Sequence, residues 1–436
     1  MSKLRSQLVT FEDWSRRGET RARGQNGWVL ASGGIPGEQA ACWVGRKRKG
    51  GRQAWIREVL EPSQDRVEPR CPHFGICGGC THQHLDYPRQ LADKAAQVYS
   101  MLPEVPCLAP VPAPSPWFYR SKVEFSLLES RRGLEVGFNR RGKFDWLVEV
   151  ARCYIGPPEN AAVLARVRAW AARHDLRGWD PRGHTGSLRY LILRRSSATG
   201  QWLACLVATP HDDEGPFEEL AGELSALGAT GVVLIRQTSV AGAVVPDSER
   251  LLAGSPFIEE RLEDLSFQLS WRSFFQVNPP AYVAMLREAR DWLALEPETR
   301  VLDLFCGIGT IGLFLTRGAG RLTGVESIQA AVEDARASAL RNGCQAEFHC
   351  ADAGAWPLDE CDLLVLDPPR SGCHPKLVER VAREGPQRVL YISCNPARLV
   401  EELDTLGRHY RVAKCRAYDF FPNTRHLELL ALLERN

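Results

Sequence analysis

The stretch YISCNP, residues 391–396, sets a thiol, Cys394, at the end of a strand-like run and directly before Asn395 and Pro396. Asn is a preferred helix N-cap and Pro a preferred first helical residue, so the cysteine is expected at a strand-to-helix turn. The positive end of a helix favours thiolate, the nucleophilic form. LDPPR, residues 366–370, puts the carboxylate of Asp367 at another strand end, where two prolines stop the chain and hold it in a rigid turn. Gly307, Gly309 and Gly312 satisfy G-x-G-x-x-G, and Glu326 follows Gly307 by 19 residues, as expected of an acid that binds ribose hydroxyls. That pattern alone suits a nicotinamide enzyme as readily as an S-adenosylmethionine enzyme. A fourth stretch, CPHFGICGGC (residues 71–80), has Cys71, Cys77 and Cys80 in C-x5-C-x2-C spacing. The amino terminus lacks a signal-peptide pattern and no apolar run would span a bilayer, so a cytoplasmic, reducing setting is expected. There clustered thiols read as metal ligands rather than disulfides, with zinc and iron–sulfur equally compatible. Scattered ones such as Cys205, Cys306 and Cys415 read as buried apolar residues.

The elements that must position these groups are clearest after residue 298. Strand-like and helix-like segments alternate there as VLDLF, LTGVE, IQAAVEDARASALRNG, AEFHCAD, DLLVLDPPR, KLVERVARE, RVLYISCNP and ARLVEELDTLG, the pattern of a doubly wound α/β sheet. Such sheets bind ligands beyond the carboxyl ends of their strands, and the glycine run, Glu326, Asp352, Asp367 and Cys394 all fall at such ends. Residues 1–60 alternate short apolar runs with Gly-rich turns, which predicts a small β-barrel. Residues 103–116, PEVPCLAPVPAPSP, read as a Pro-rich connector, and the stretch beyond it mixes strands with a helix around AAVLARVRAWAARH.

At 436 residues with a net charge of +2, the composition alone names no partner. The charge is uneven, however: residues 1–60 hold 12 Lys/Arg against 5 Asp/Glu, and residues 117–200 hold 16 against 8. Basic runs such as Arg46 to Lys49, near Trp43 and Trp55, offer phosphate contacts and stacking faces, unless they are only a solvated surface.

With these motifs assembled, the chain resembles the S-adenosylmethionine-dependent RNA 5-methyluridine methyltransferases over nearly its whole length. The resemblance runs from a TRAM-like amino-terminal segment through CPHFGICGGC, FFQVNP, LDLFCGIGTIGL, LDPPR and YISCNP to FPNTRHLEL. It implies a Rossmann-like catalytic domain over 271–436, a TRAM-like, OB-like barrel over 1–60 and a mixed α+β central domain over 61–270. It implies Cys394 as nucleophile and Glu428 as general base, with Gln276, Phe305, Thr310, Glu326, Asp352 and Asp367 around the cofactor. It also implies a [4Fe-4S] cluster on Cys71, Cys77, Cys80 and Cys153. The expected partner is RNA, most specifically large-subunit ribosomal RNA with a flipped uridine, and transfer RNA is the alternative. No membrane or DNA partner is expected, and the chain should act as a monomer. Phe274, Phe275 or Phe421 could stack on the base. Asn423 and Arg425 stand where the family carries other residues. A nicotinamide oxidoreductase would leave SCNP, the His426-Leu427-Glu428 segment and the basic regions unexplained. A non-catalytic RNA-binding protein would have no need of both Cys394 and Glu428.

Overall fold

A computed structural model describes residues 5–15, 18–143, 145–210 and 213–436. Lys3, Arg16 and Arg17, which contribute to the amino-terminal charge, lie outside the described residues. The chain opens with β1 (Arg5–Trp14), β2 (Thr20–Gly24), β3 (Gly27–Ala31), β4 (Gln39–Arg48) and β5 (Gly51–Glu61), closed into a barrel in the order β1-β2-β3-β5-β4. Strand alternation builds it: Ala40, Cys42 and Val44 turn inward and are buried, while Trp43 points out and pairs across the strands with Trp55. The core around Phe11 is small, mostly Val and Ala, so contacts to the rest of the chain support it. Buried Glu38 accepts from Arg66 Nε at 2.6 Å and from the backbone of Ile35 and Ser63. Trp14 Nε1 donates to Asp93 at 2.8 Å.

Helix α1 (Tyr87–Tyr99) and strand β6 (Cys107–Val111) follow. Next come β7 (Lys122–Ser130), β8 (Gly133–Asn139), β9 (Leu147–Glu149), α2 (Asn160–Arg173), β10 (Leu188–Arg195), β11 (Trp202–Ala208), α3 (Gly215–Ala226), β12 (Gly231–Arg236) and β13 (Ser248–Gly254). Their strands form one seven-stranded sheet, β13-β12-β11-β10-β7-β8-β9. Strands β10 and β11 are apolar on both sides because both sheet faces are covered. Leu191, Leu193, Ala204 and Leu206 pack against α2 and α3, whereas Ile192, Leu203, Cys205 and Val207 belong to a core shared with a second, eight-stranded sheet.

That sheet follows a hairpin, β14 (Ile258–Leu262) and β15 (Leu265–Leu269), and helix α4 (Pro279–Leu293). Its elements are β16 (Arg300–Leu304), α5 (Thr310–Leu315), β17 (Arg321–Glu326), α6 (Gln329–Arg341), β18 (Ala346–Cys350), β19 (Leu363–Leu366), α7 (Pro375–Glu384), β20 (Arg388–Ser393), α8 (Pro396–Leu406), β21 (Tyr410–Tyr418) and β22 (Glu428–Arg435). The order is β18-β17-β16-β19-β20-β22-β21-β6. The first five run parallel and β22 is antiparallel to both neighbours. The chain order reverses between β16 and β19, the place where doubly wound sheets open a ligand crevice. The expected α/β sheet with an amino-terminal barrel is thus present. One element departs from the sequence reading: inside the Pro-rich connector, β6 pairs with β21. It is the edge strand, where Pro110 can stand without breaking an inner ladder.

Candidate active site

The glycine turn leaves β16 with the backbone of Phe305 at φ 67°, a left-handed conformation uncommon for an aromatic residue. Phe305 and Cys306 donate their N–H groups to Val325 O, which fixes the turn to β17. Gly307, at φ 54°, has open space where a Cβ would stand, so a side chain there would enter the cleft. At Gly312 a Cβ would meet Leu322 at 2.5 Å, so this glycine lets α5 approach the sheet. Its N–H donates to Asp303 Oδ2 at 3.0 Å. Glu326 ends β17 and is held by the N–H groups of Gly307, Ser327 and Ile328. Thr310 shares a hydrogen bond of 2.9 Å with the buried Tyr282 of α4. Asn278 caps α4 and bonds Phe420 O, which places Gln276 in the same wall.

Opposite this cradle, strand register brings Cys394 and Glu428 toward each other. Ser393 of β20 faces Leu429 of β22, so the next step along each strand sets Cys394 against Glu428. Glu428 is 1% exposed, its Oε2 makes no hydrogen bond, and burial with nearby Asp367 holds its carboxyl well above the usual carboxylate range. Asp367 is half-buried as a residue, and desolvation pushes its carboxyl up to about 7. Asp303, fully buried behind the glycine turn, is pushed up to about 8 by burial and by Asp367 and Glu326. Arg370 is the cation that opposes the upward shift at both Cys394 and Glu428.

Two expectations for Cys394 change here. A thiolate-favouring helix end was expected, but burial and the carboxyls of Glu428 and Asp367 push the thiol up to about 11. Asn395 occupies the cap position of α8 without a capping side-chain bond; its Nδ2 donates instead to Arg370 O at 2.9 Å, tying the turn that carries Cys394 to the LDPPR turn.

The turn before β22 is anchored from below. Lys94 of α1, 4% exposed, donates to Asp419 at 2.7 Å and to Phe421 O at 3.2 Å. Asn423, one of the two departures from the family pattern, takes φ 63°, which Asn tolerates, and bonds Gln90 and Pro116 O. These contacts seat Phe421, His426 and Glu428 along one open cleft of about 2270 Å³. The cleft runs from Trp55 and Lys49 on the barrel, past Arg140, Arg141 and Lys143, to Gln276, Phe305, Thr310, Glu326, Asp367, Cys394 and Glu428. Asp352 is exposed, folds back onto Gly354 N at 2.9 Å, and is absent from the cleft lining. Sequence reading missed Asp303, Tyr282 and Arg370; a carboxylate inside the apolar strand VLDLF was the available signal for Asp303.

Cys71, Cys77, Cys80 and Cys153 gather elsewhere. Cys77 bridges to Arg140, and Cys153 is held through both backbone groups by Asn160. Burial raises all four thiols, Cys80 to about 12, and Cys153 adds to the shift of Cys77 and Cys80. Among the described residues, however, no group of three or more His, Cys, Asp or Glu is set to hold a metal ion. The expected ligands are neighbours without ligand geometry.

Comparison with known proteins agrees with this geometry. A family described as tRNA (Uracil-5-)-methyltransferase matches residues 357–436, and a methyltransferase domain family matches residues 301–385. An RNA methyltransferase of Bacillus cereus is 31% identical over 98% of this chain and 96% of its own. One from Caldanaerobacter subterraneus is 33% identical over 93% of each. The crystal structure of Pyrococcus abyssi tRNA (uracil-54, C5)-methyltransferase with S-adenosyl-L-homocysteine superposes with a TM-score of 0.82. It is 27% identical and covers 98% of this chain and 99% of that one.

Proposed function

From the premise that this chain belongs to the RNA uracil-5-methyltransferase family, we propose that it methylates carbon 5 of a uridine in RNA, using S-adenosylmethionine and a covalent adduct on Cys394. The observation that carries this is Cys394 set by register against Glu428 at the end of a cleft whose other wall is the glycine cradle.

The residues present fit that cofactor. Gly307 leaves room where a side chain would block it, and Glu326 stands ready for ribose hydroxyls. Asp303, Asp367 and Glu428 are buried or partly buried acids held above their usual range, and Arg370 opposes the shift at Glu428. A positively charged ligand beside Asp367 and Glu428 would favour their ionised forms. When bound, the cofactor supplies an electrophilic methyl group, and its positive charge offsets the carboxyls that suppress Cys394 ionisation.

Cys394 loses its proton to water in the open cleft and its sulfur bonds carbon 6 of the uracil, moving the ring's electrons to carbon 5 and the carbonyl oxygen. Carbon 5 then takes the methyl group, whose bond to the cofactor's sulfonium sulfur breaks with its electron pair left on that sulfur. Glu428 must first release to solvent in the cleft the proton that burial and Asp367 favour on it; as carboxylate it then removes the carbon-5 proton, the carbon–sulfur bond breaks, the ring double bond returns, and Cys394 leaves as thiolate. Reaching both faces of the ring requires the uridine to leave its stack, and the cleft, open from barrel to nucleophile, gives it room.

We assign large-subunit ribosomal RNA as the substrate, following the sequence resemblance. A transfer RNA uridine is the second reading, favoured by likeness along the full length, barrel included, to an enzyme named for transfer RNA. Mapping 5-methyluridine in both RNA classes from cells with and without the gene separates them: a ribosomal site should vanish, and loss confined to transfer RNA would move the assignment. Cys71, Cys77, Cys80 and Cys153 are proposed to hold a [4Fe-4S] cluster in a structural role, supported by the nearness of the thiols, Cys77 and Cys80 each raised in part by Cys153. The protein is proposed to act as a cytoplasmic monomer. Among the described residues no helix is long and apolar enough to cross a membrane.

A further inference from the structure

The turn between β8 and β9 is braced by the cysteine segment and by the barrel. Arg140 pairs with Cys77 in an isolated β-bridge, Arg141 N donates to Ile76 O at 3.0 Å, and Gly78 N donates to Asn139 O at 3.3 Å. The Arg141 guanidinium donates to Cys80 O at 2.6 Å and to Oγ of Ser32, just after β3, at 3.2 Å. Within the turn, Lys143 N donates to Arg140 O at 2.9 Å and Arg140 N to Trp146 O at 2.7 Å. Trp146 is 54% exposed, although Leu147 and Val148 directly after it are buried. The Arg140 guanidinium lies over its ring, 4.3 Å from the centroid. Arg140, Lys143 and Trp146 all line the cleft that holds Cys394. Asp145 pairs with Arg182, but among the described residues Arg140, Arg141 and Lys143 form no ion pair.

A single exposed tryptophan is ordinary surface. This one differs because a braced turn holds it in the wall of the cleft, with one cation on its ring and a second, Lys143, in the same turn. An unpaired nucleotide is recognised by that combination, an aromatic face for the base and a cation for the phosphate. Resting on the function proposed above, we propose that Trp146, with Arg140 and Lys143, stacks one unpaired base of the RNA strand that carries the target uridine. A paired base has both faces covered by its neighbours in the helix, so the partner this surface fits is a single-stranded segment. Because the turn is held by the protein's own hydrogen bonds, little ordering is needed when RNA binds.

The test compares Trp146→Ala, Trp146→Leu and Trp146→Phe in full-length protein. Affinity is measured for folded ribosomal and transfer RNA from cells lacking the gene, across a salt series, alongside S-adenosylmethionine binding and methyl transfer. Trp146→Ala and Trp146→Leu should each bind RNA roughly 5- to 150-fold more weakly, the scale of one lost base stack, and raise KM rather than lower kcat. Trp146→Phe keeps an aromatic face and should stay near wild type. The indole makes no phosphate contact, so its loss should leave the salt slope unchanged, whereas Lys143→Ala should reduce it by about one. Wild-type affinity in Trp146→Ala would overturn the stacking site. So would wild-type affinity in Trp146→Leu, which would make the contact merely apolar, or lost cofactor binding, which would make the residue structural. If wild-type protein methylates neither RNA, the proposed function fails, while the stacking site is still decided by affinity.

Discussion

Two regions of this molecule gather cysteines, and they do so in different ways. Beside the glycine cradle, Cys394 directly follows β20, whose last ladder pair, Ser393 with Leu429, brings it toward Glu428 at the start of β22. At the other, Cys71, Cys77 and Cys80 sit in an irregular segment in which Cys77 alone joins an isolated β-bridge, Cys153 comes from a second irregular segment, and among the described residues the four stop short of ligand geometry. The contrast separates two sources of precision. A ladder sets side chains through backbone hydrogen bonds, which the chain supplies itself, whereas ligands to a cluster are drawn into place by the group they bind.

The sharpest way to break the comparison is Cys153→Ser. Protein purified without oxygen should be brown and hold about four irons with matching sulfide, and the variant should lose them while keeping S-adenosylmethionine binding. A colourless wild-type protein holding one zinc would give the four thiols a different ligand, and loss of cofactor binding in the variant would show that the regions are not separable.

A second prediction concerns the catalytic region's own charge. Burial raises Asp367 to about 7, and a positively charged ligand favours its ionised form, so S-adenosylmethionine binding should release a proton and tighten as pH rises through about 7. Asp367→Asn should weaken binding by roughly 10- to 100-fold, the scale of a lost charged hydrogen bond, and flatten that pH dependence. It should also lower the pH at which Cys394 reacts with an alkylating agent, since Asp367 is one of the groups pushing its thiol up to about 11. Calorimetry across pH, with mass-spectrometric detection of the Cys394 peptide, checks both; unchanged binding and unchanged alkylation would remove Asp367 from the site.

How much was legible in the sequence follows the same division. The α/β alternation after residue 298 was readable because each strand is a short apolar run ending in a turn signal, and the site groups fall at those ends. Helix α1 and strand β6 were not readable as parts of the catalytic region. Their role depends on contacts across more than 300 residues, such as Lys94 to Asp419 and Tyr99 to Ala417 N. The ionisation of Cys394 was misread because the helix end is local in sequence, while the opposing carboxyls of Glu428 and Asp367 arrive from other strands. Asp352 was carried by its place after a strand, and position alone does not reveal an exposed side chain folded onto Gly354.

The central claim is that Cys394 attacks and Glu428 finishes. Its most direct measurement is a denaturing gel of Glu428→Gln incubated with S-adenosylmethionine and substrate RNA, beside Cys394→Ala and the double variant. Attack and methyl transfer precede proton removal, so Glu428→Gln should accumulate methylated RNA bonded to protein, with turnover about 100- to 10,000-fold slower. The adduct should be absent wherever Cys394 is replaced. Free methylated RNA released at the wild-type rate by Glu428→Gln, or methylation persisting in Cys394→Ala, would contradict the account.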